Sequence, residues 1–204
     1  AQAYFALPAD VKARHRMAPG TNAGWEYRSQ VRPSTRTPDE KESYQITLPR
    51  MSGLWPTADE LAGFEATLRD FERQCWELAM RVLECFSARL GLPGGHFTAA
   101  HDPDSPDYQS TVRLLHYFAF PQALVGDPTV WRAGAHTDFD ALTLLFQRSG
   151  HDGLQVLPGA QAAGREWTPV PADSTAITCN IGDMLTRWSD DQLKSNFHRV
   201  RPPR

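Results

Sequence analysis

Seven short segments follow one another after residue 97, and they restrict the possible folds more than any other feature of the sequence. Their residue types are typical of strands, and turn-forming residues separate them. The segments are residues 111–118, 136–146, 153–157, 167–170, 174–180, 184–188 and 195–200. Short strands at this spacing are typical of a β-sandwich or a β-barrel. The sequence therefore predicts a mainly β fold with flanking helices.

A helical pattern precedes these strands. Thr57 and Glu60 have the spacing of a capping box, in which each side chain satisfies a free backbone amide of the other residue. Apolar residues then recur at intervals of three and four, and Gly91 ends the pattern. We predict one long amphipathic helix over residues 58 to about 90. A coiled-coil partner is the alternative, but the aromatic residues in the stripe and the interruption at Cys75 favour packing against the flank of a barrel.

Composition excludes several classes of protein. A chain of 204 residues with 41% hydrophobic and 22% charged residues can bury one sizeable core, so we expect a single domain. The net charge of -3 gives no basic surface for nucleic acid or for an anionic membrane. The substrate or ligand is therefore expected to be a small molecule.

The cysteines indicate a reducing compartment. The chain has three of them, at Cys75, Cys85 and Cys179, which are too few and too scattered for a disulfide framework. No apolar run approaches the roughly 20 residues that a membrane-spanning helix needs. Cytoplasm is the expected location.

A candidate metal site lies in the second predicted strand, where His136 and Asp138 are two residues apart. Positions i and i+2 of a strand face the same side of the sheet. With a second imidazole from His198, they form the 2-His-1-carboxylate triad of non-heme Fe(II) oxygenases. The alternatives are a hydrogen-bonded surface pair at His136 and Asp138, and a packed core histidine at His198.

The remaining histidines are weaker ligand candidates. His15, His96, His101 and His151 lie in polar loops or beside turns, so we expect them at the surface. His116 alternates with Arg113, Leu115 and Tyr117 along one predicted strand, so its side chain is expected on the face opposite theirs.

Four further motifs accompany the pair His136 and Asp138. They are Val-Arg-Leu-Leu-His-Tyr at 112–117, Gly-Leu-Gln-Val at 153–156, Asn-Ile-Gly-Asp-Met-Leu at 180–185 and Lys-Ser-Asn-Phe-His-Arg-Val at 194–200. In this order and spacing they resemble the 2-oxoglutarate- and Fe(II)-dependent oxygenase superfamily, in the branch of isopenicillin N synthase and the plant anthocyanidin and gibberellin oxygenases. The resemblance covers roughly residues 1 to 203.

The resemblance implies a fold and an activity. The fold is a double-stranded β-helix, or jelly-roll, core over residues 98–204, preceded by a mostly helical and loop portion over residues 1–97, with the long helix packed outside the core. The cofactors are Fe(II), 2-oxoglutarate as cosubstrate and O2. The activity is hydroxylation, desaturation or cyclisation of a small molecule. The alternatives are an oxidase that does not use 2-oxoglutarate and a metal-binding jelly-roll sensor without turnover.

The resemblance also implies roles for single residues. His136, Asp138 and His198 are the implied metal ligands. Tyr117 stands where relatives hydrogen-bond the cosubstrate carboxylate, with core packing as the alternative. Three residues, each with a purely structural alternative, are implied to lie near the substrate: Arg113, Phe139 and Gln155.

One expected motif is absent from the chain. Relatives carry an arginine and a serine, separated by one residue, about ten residues beyond the last histidine, and these bind the distal carboxylate of 2-oxoglutarate. We expect the main cosubstrate arginine to lie beyond Arg204, in an oxygenase domain of which residues 1–204 are an internal piece. Asn180 and Asp183 are predicted to be turn residues.

Overall fold

The computed structural model describes residues 1–31, 36, 38–119, 131–157 and 166–202. Two compact units emerge from the contacts of the chain. The first unit comprises residues 1–27 and 41–116, and the second comprises residues 28–40 and 117–204. The candidate metal ligands all belong to the second unit.

The first unit combines helices with one antiparallel ribbon and a third strand. Its helices are α1 (Gln2–Phe5), α2 (Ala9–Arg14), α3 (Ala58–Leu61), α4 (Phe64–Leu90) and α5 (His96–Ala100). Its strands are β1 (Gly24–Tyr27), β2 (Lys41–Ile46) and β3 (Val112–Tyr117). Tyr117, the last residue of β3, is assigned to the second unit. The strand order is β1-β2-β3. Strand β3 lies beside β2, although the sequence predicts it in the jelly-roll portion.

Aromatic side chains form the core of the first unit. Tyr44 on β2 and Tyr4 on α1 are fully buried, and their ring centroids lie 4.3 Å apart. Phe64 stacks on Tyr4 at 5.3 Å, and Leu68 belongs to the same cluster one helical turn later. Because large apolar side chains gain most from leaving water, this cluster joins α1, β2 and α4.

The helix predicted for residues 58 to about 90 is two helices. The capping box is present, since Glu60 N donates to Thr57 Oγ1 over 3.3 Å and Thr57 N donates to Glu60 Oε2 over 2.9 Å. The turn that it starts, α3, ends after four residues. Gly63 has φ +71°, a left-handed conformation that a helix cannot continue through, and α4 starts after it. The apolar spacing was continuous across this break, so the pattern did not reveal it.

The second unit is mainly β. Its strands are β4 (Ala133–His136), β5 (Leu142–Phe146), β6 (Leu154–Val156), β7 (Thr168–Pro169), β8 (Ile177–Ile181) and β9 (His198–Val200), and its helix is α6 (Asp183–Trp188). One sheet has the order β4-β9-β6-β7, and β5 pairs with β8 in a second, two-stranded sheet. All pairs with an assigned register in the second unit are antiparallel.

Two predicted strands differ from the structure. The segment 136–146 is two strands joined by a turn, and the segment 184–188 is helix α6. In α6 an acidic residue, Asp183, lies in the first turn and a basic residue, Arg187, in the last, which complements the helix dipole. Leu185 is fully buried and anchors the helix. Five residues are too few for an apolar pattern to separate a strand from a short helix.

Among the helices in the described part of the chain, none combines the length and the apolar character that crossing a bilayer requires. The three cysteines are free.

Candidate metal centre

The two histidines come from neighbouring strands of the four-stranded sheet. His136 is the last residue of β4, and His198 is the first residue of β9. The antiparallel register places them directly opposite each other, so their side chains emerge on the same face. The ring centroids lie 4.2 Å apart. Strand pairing therefore explains how residues far apart in the sequence meet.

Asp138 reaches the same point from a turn. It follows the end of β4, so the prediction that His136 and Asp138 share one face of a single strand is wrong. The backbone of this turn is fixed by Asp183 N, which donates to Asp138 O over 2.8 Å, and by Met184 N, which donates to Asp140 O over 3.2 Å. The turn, rather than strand alternation, brings the carboxylate to the histidines.

The three side chains form a compact set of donors. Asp138 Oδ1 lies 3.8 Å from His136 Nε2 and 3.6 Å from His198 Nε2. Ligand atoms of all three residues lie within 4.8 Å of one another, and no other group of three His, Cys, Asp or Glu side chains in the described residues meets this criterion. The side chains are 17%, 21% and 15% exposed for His136, Asp138 and His198. They are thus shielded from most solvent without being fully buried.

Hydrogen bonds of the imidazoles orient their second nitrogen atoms toward the centre. His136 Nδ1 lies 2.7 Å from Gly134 O, and a carbonyl can only accept, so Nδ1 carries the proton. The lone pair of His136 Nε2 then faces the site. His198 Nδ1 has a longer contact of 3.4 Å with Asn196 O, which favours the same tautomer. Ligating histidines usually have such a partner on the other ring nitrogen.

Two side chains hold the carboxylate of Asp138. Thr143 Oγ1 donates to Asp138 Oδ2 over 2.7 Å, and Asn180 Nδ2 donates to the same oxygen over 2.8 Å. Burial alone would raise the pKa of Asp138, but the hydrogen bonds from Asn180 and Thr143, together with the neighbouring imidazoles, lower it below its ordinary value. Asp138 is therefore a carboxylate at neutral pH, as a metal ligand must be.

The residue set fits a divalent transition metal. Two imidazole nitrogens and one carboxylate oxygen on one side of an ion are the donors of the 2-His-1-carboxylate triad, which leaves the other coordination positions open. This donor set is the one that binds Fe(II) in non-heme oxygenases. Structural zinc sites differ because four protein ligands close them.

Tyr117 and Arg113 both lie on β3 but in different surroundings. Tyr117 is half-buried, and the guanidinium carbon of Arg132 lies 5.7 Å from the centroid of its ring. Arg113 belongs to the first unit, where its Nη2 donates to Gln45 Oε1 over 2.7 Å. Gln45 Nε2 in turn donates to Glu26 Oε1 over 2.8 Å. Arg113 is thus part of a polar network on the β-ribbon.

Phe139 and Gln155 are placed very differently by the structure. Phe139 directly follows Asp138, and 86% of its surface is exposed, so it does not belong to the core. Gln155 lies opposite Arg199 in the pairing of β6 with β9, while Val156 lies opposite His198. Because neighbouring positions alternate between faces, Gln155 emerges on the face opposite His198, where its Oε1 accepts from Arg199 Nε over 2.9 Å. The structure does not bring Gln155 to the ligands.

Two of the remaining histidines occupy polar contacts in the first unit. His15 is buried, with its Nε2 3.3 Å from Glu60 Oε2, so the expectation of a surface residue is wrong. His15 lies at the C-terminal end of α2, and its polar sequence neighbours concealed this burial. His116 Nδ1 lies 2.8 Å from Glu42 Oε1. It lies outside the group formed by His136, Asp138 and His198.

Thr143 and Asn180 were not predicted from the sequence as hydrogen-bond partners of Asp138. The sequence predicts a turn at Asn180, but Asn180 is the fourth residue of β8 and its side chain reaches Asp138. The available signal was the position of Asn180 within a motif of the resembled family. Thr143 had no comparable signal, since a threonine in a strand is common.

A β unit that carries a 2-His-1-carboxylate site is typical of mononuclear non-heme iron proteins. Comparison with known proteins agrees with this class. Residues 109–204 match the model of the 2OG-Fe(II) oxygenase superfamily. The chain is 32% identical to the 2-oxoglutarate-dependent dioxygenase caaD of Aspergillus niger, over 97% of this chain and 62% of the relative. It is 34% identical to the proline hydroxylase buaE of Petromyces alliaceus, over 98% of this chain and 64% of the relative.

Solved structures give the same assignment. The chain resembles a full-length Neurospora crassa protein in complex with alpha-KG, with a TM-score of 0.82 and 32% identity, covering 99% of this chain and 63% of that one. It resembles the C-terminally truncated form of the same Neurospora crassa protein with a TM-score of 0.73 and 32% identity, covering 99% and 69%. The chain belongs to the 2OG-Fe(II) oxygenase superfamily. It spans somewhat less than two thirds of the length of the full-length relatives named above.

Proposed function

We propose that the protein is an oxidoreductase that couples the oxidative decarboxylation of 2-oxoglutarate to the oxidation of a small molecule. The observation that carries this proposal is the convergence of His136, Asp138 and His198 on one point. Iron(II) bound there supplies the activation of O2, and the balanced reaction turns 2-oxoglutarate, O2 and a C–H substrate into succinate, CO2 and a hydroxylated product. Desaturation and cyclisation are variants of the same chemistry.

The chain's own groups hold and orient the reactants. His136 and His198 present Nε2 to the metal, and Asp138 contributes a negative charge that is kept by its hydrogen bonds. Tyr117 is proposed to donate a hydrogen bond from its phenol O–H to a carboxylate of 2-oxoglutarate. The neighbouring guanidinium of Arg132 makes the surroundings of Tyr117 favourable for an anion.

The substrate is proposed to be a small organic molecule. Phe139 is exposed beside Asp138, and its apolar ring is proposed to contact the substrate. The Neurospora crassa protein has been solved with thymine bound, and another relative is a proline hydroxylase, so pyrimidines and proline-containing compounds are the first classes to test.

The wider architecture and location belong to the same proposal. We propose that residues 98–204 contribute to a jelly-roll core and that residues 1–204 lie in one oxygenase domain. The distribution of β4 to β9 over two sheets supports the jelly-roll. A cytoplasmic location is proposed from the three free cysteines.

Succinate formation tests the proposed reaction. With Fe(II), 2-oxoglutarate, air and the two substrate classes, we expect succinate to accumulate in amounts that match the oxidised product, as measured by mass spectrometry. Replacement of Asp138 by asparagine should remove this activity. O2 consumption without succinate would instead identify an oxidase, and metal binding without O2 consumption would identify a sensor.

Replacing Tyr117 with phenylalanine tests the cosubstrate site. A hydrogen bond to a charged group contributes about 1.5–3 kcal/mol, so the Kd of 2-oxoglutarate should rise by roughly 10-fold or more. The measurement is an anaerobic titration that follows the visible charge-transfer absorption of the Fe(II)–2-oxoglutarate complex. Because the phenol is not a metal ligand, the Kd of Fe(II) itself should stay the same. An unchanged Kd for 2-oxoglutarate would mean that Tyr117 only packs.

A further inference from the structure

The two oxygens of the Asp138 carboxylate have different surroundings. Oδ2 accepts one hydrogen bond from Thr143 Oγ1 and one from Asn180 Nδ2. A carboxylate oxygen offers about two lone-pair positions, so these two donors occupy Oδ2. Oδ1 is the oxygen that faces Nε2 of His136 and of His198. Only Oδ1 therefore has lone-pair capacity directed at the metal position.

Asn180 belongs to a segment, residues 180–183, that packs tightly on the turn carrying Asp138. A Cβ on Gly182 would lie 2.1 Å from Asp140 O, so no side chain fits there. Gly182 N donates to Ala141 O over 3.1 Å, and Asp183 N donates to Asp138 O over 2.8 Å. The segment 180–183 and the turn of Asp138 are thus joined through both backbone and side chains.

The side chain of Asp183 joins the two parts of the chain that carry the ligands. Its Oδ2 accepts from Thr137 Oγ1 over 2.9 Å, and Thr137 lies between His136 and Asp138. Its Oδ1 accepts from Ser195 Oγ, three residues before His198. One carboxylate outside the ligand set therefore links the segment of His136 and Asp138 to the segment of His198.

We propose that Asn180 and Asp183 are positioning residues of the metal site. Asn180, together with Thr143, occupies Oδ2 of Asp138 so that the metal binds through Oδ1 alone. Asp183 fixes the distance between the segment of His136 and Asp138 and the segment of His198. The inference rests on the proposed function only in requiring that the site binds a metal; it does not require 2-oxoglutarate or turnover.

The expected effect is on metal affinity rather than on folding. Loss of a hydrogen-bond partner of a metal ligand typically weakens metal binding by about 10- to 100-fold. Without Asn180, Oδ2 becomes available, and the carboxylate can rotate or chelate. The metal should then be bound more weakly and with a changed coordination number.

The affinity test uses Co(II) binding to the metal-free protein, measured by competition with a chelator. Asn180→Ala is expected to raise the Kd of Co(II) by about 10-fold or more. The matched control is Thr178→Ala, because Thr178 lies two residues earlier on the same face of β8 but donates to Gln147 over 3.2 Å. This control should bind Co(II) as the wild type does. A thermal melt of each metal-free variant shows whether it is folded.

Two further variant pairs keep the outcome decisive if Asn180→Ala does not fold. Thr143→Val keeps the shape but removes the donor, and should weaken Co(II) binding, whereas Thr143→Ser keeps the hydroxyl and should restore it. Asp183→Ala should weaken binding more than Asp183→Asn, since an amide can still pair with the hydroxyls of Thr137 and Ser195. The visible absorption of bound Co(II), which reports coordination number, should change in Asn180→Ala and Thr143→Val only.

The results distinguish a failure of the proposed metal site from a failure of the proposed positioning roles. If the wild type binds no Co(II), the metal site of the proposed function is refuted. If the wild type binds Co(II) and folded Asn180→Ala and Thr143→Val bind it equally well with an unchanged spectrum, the positioning role of Asn180 is overturned. Equal affinity in Asp183→Ala would overturn the role of Asp183.

Discussion

Replacing His198 with alanine is expected to abolish Fe(II) binding while the protein stays folded. The change removes one of the three proposed ligands. Removing only a hydrogen-bond partner of a ligand can weaken metal binding by roughly 100-fold, so the loss of Fe(II) affinity in His198→Ala should be larger than that. The side chain is 15% exposed at the start of β9, and the backbone pairing with β4 and β6 does not depend on it. The measurement is Fe(II) affinity under anaerobic conditions, with a thermal melt of the metal-free protein to confirm folding.

His116→Ala is the matched control for this experiment. His116 is also a strand histidine beside a carboxylate, but its partner is Glu42 in the first unit. Its side chain is 47% exposed, so the substitution leaves no large cavity. We expect Fe(II) affinity to be unchanged in this variant. Wild-type affinity in His198→Ala would refute the ligand assignment, since no other imidazole in the described residues joins His136 and Asp138.

The three side chains that cluster could be selected from the sequence, because the ability to bind a metal depends on residue type. Only a few side chains can bind iron, and the motifs around His136, Asp138 and His198 distinguish them from the other histidines. The geometry was less predictable. Asp138 lies in a turn and not on the strand, and this turn is fixed by backbone bonds from residues more than forty positions later.

The hydrogen-bond partners of Asp138 could not be predicted for a related reason. Threonine and asparagine are common hydrogen-bond donors, and nothing in the sequence shows which acceptor they reach. Thr143 and Asn180 meet Asp138 only because β5 pairs with β8, which places these two residues opposite each other. Strand register is a tertiary property, so these contacts needed coordinates.

The fold shows the same division between local and tertiary information. The capping box at Thr57 and the end of α4 before Gly91 were predicted, because both depend on residues within one helical turn. The break at Gly63 and the helix at residues 184–188 were not predicted. An isolated glycine is compatible with a helical pattern, and short apolar segments fit either structure.

The largest effect on stability is expected from Glu42→Gln. Glu42 is a buried carboxylate of β2 with a side chain only 3% exposed. It accepts from Lys12 Nζ over 2.9 Å, from Trp25 Nε1 over 2.7 Å and contacts His116 Nδ1 at 2.8 Å. These bonds join α2 to all three strands of the first unit.

Glutamine keeps the shape of Glu42 but removes its charge. The side chain of Lys12 is only 9% exposed, so in the variant its ammonium group would be buried without a counter-charge. Breaking a buried ion pair in this way typically costs about 3–5 kcal/mol. We therefore expect the free energy of unfolding to fall by roughly that amount, as measured by urea denaturation at neutral pH. The matched control is Glu77→Gln, because Glu77 pairs with Arg73 on the exposed face of α4 and should have little effect.

The pH dependence of stability tests the ion pair of Glu42 and Lys12 in a second way, which does not depend on how much unfolding free energy Glu42→Gln loses. Burial would raise the pKa of Glu42, but the hydrogen bonds from Lys12, His116 and Trp25 outweigh it and hold the pKa below its ordinary value. The unfolded chain, with an ordinary glutamate pKa of about 4.3, then binds more protons at this residue than the folded protein does. The stabilisation is complete above about pH 5 and is lost as the pH falls through the lowered pKa of the folded state.

Wild type and Glu77→Gln should therefore lose stability in parallel between about pH 5 and pH 3, because both retain the Glu42 carboxylate. Glu42→Gln has no such group to protonate, so its stability should fall less over this range. The difference in unfolding free energy between wild type and Glu42→Gln should become smaller as the solution becomes more acidic. A difference that stays constant with pH would show that the loss comes from packing and not from the charge of Glu42.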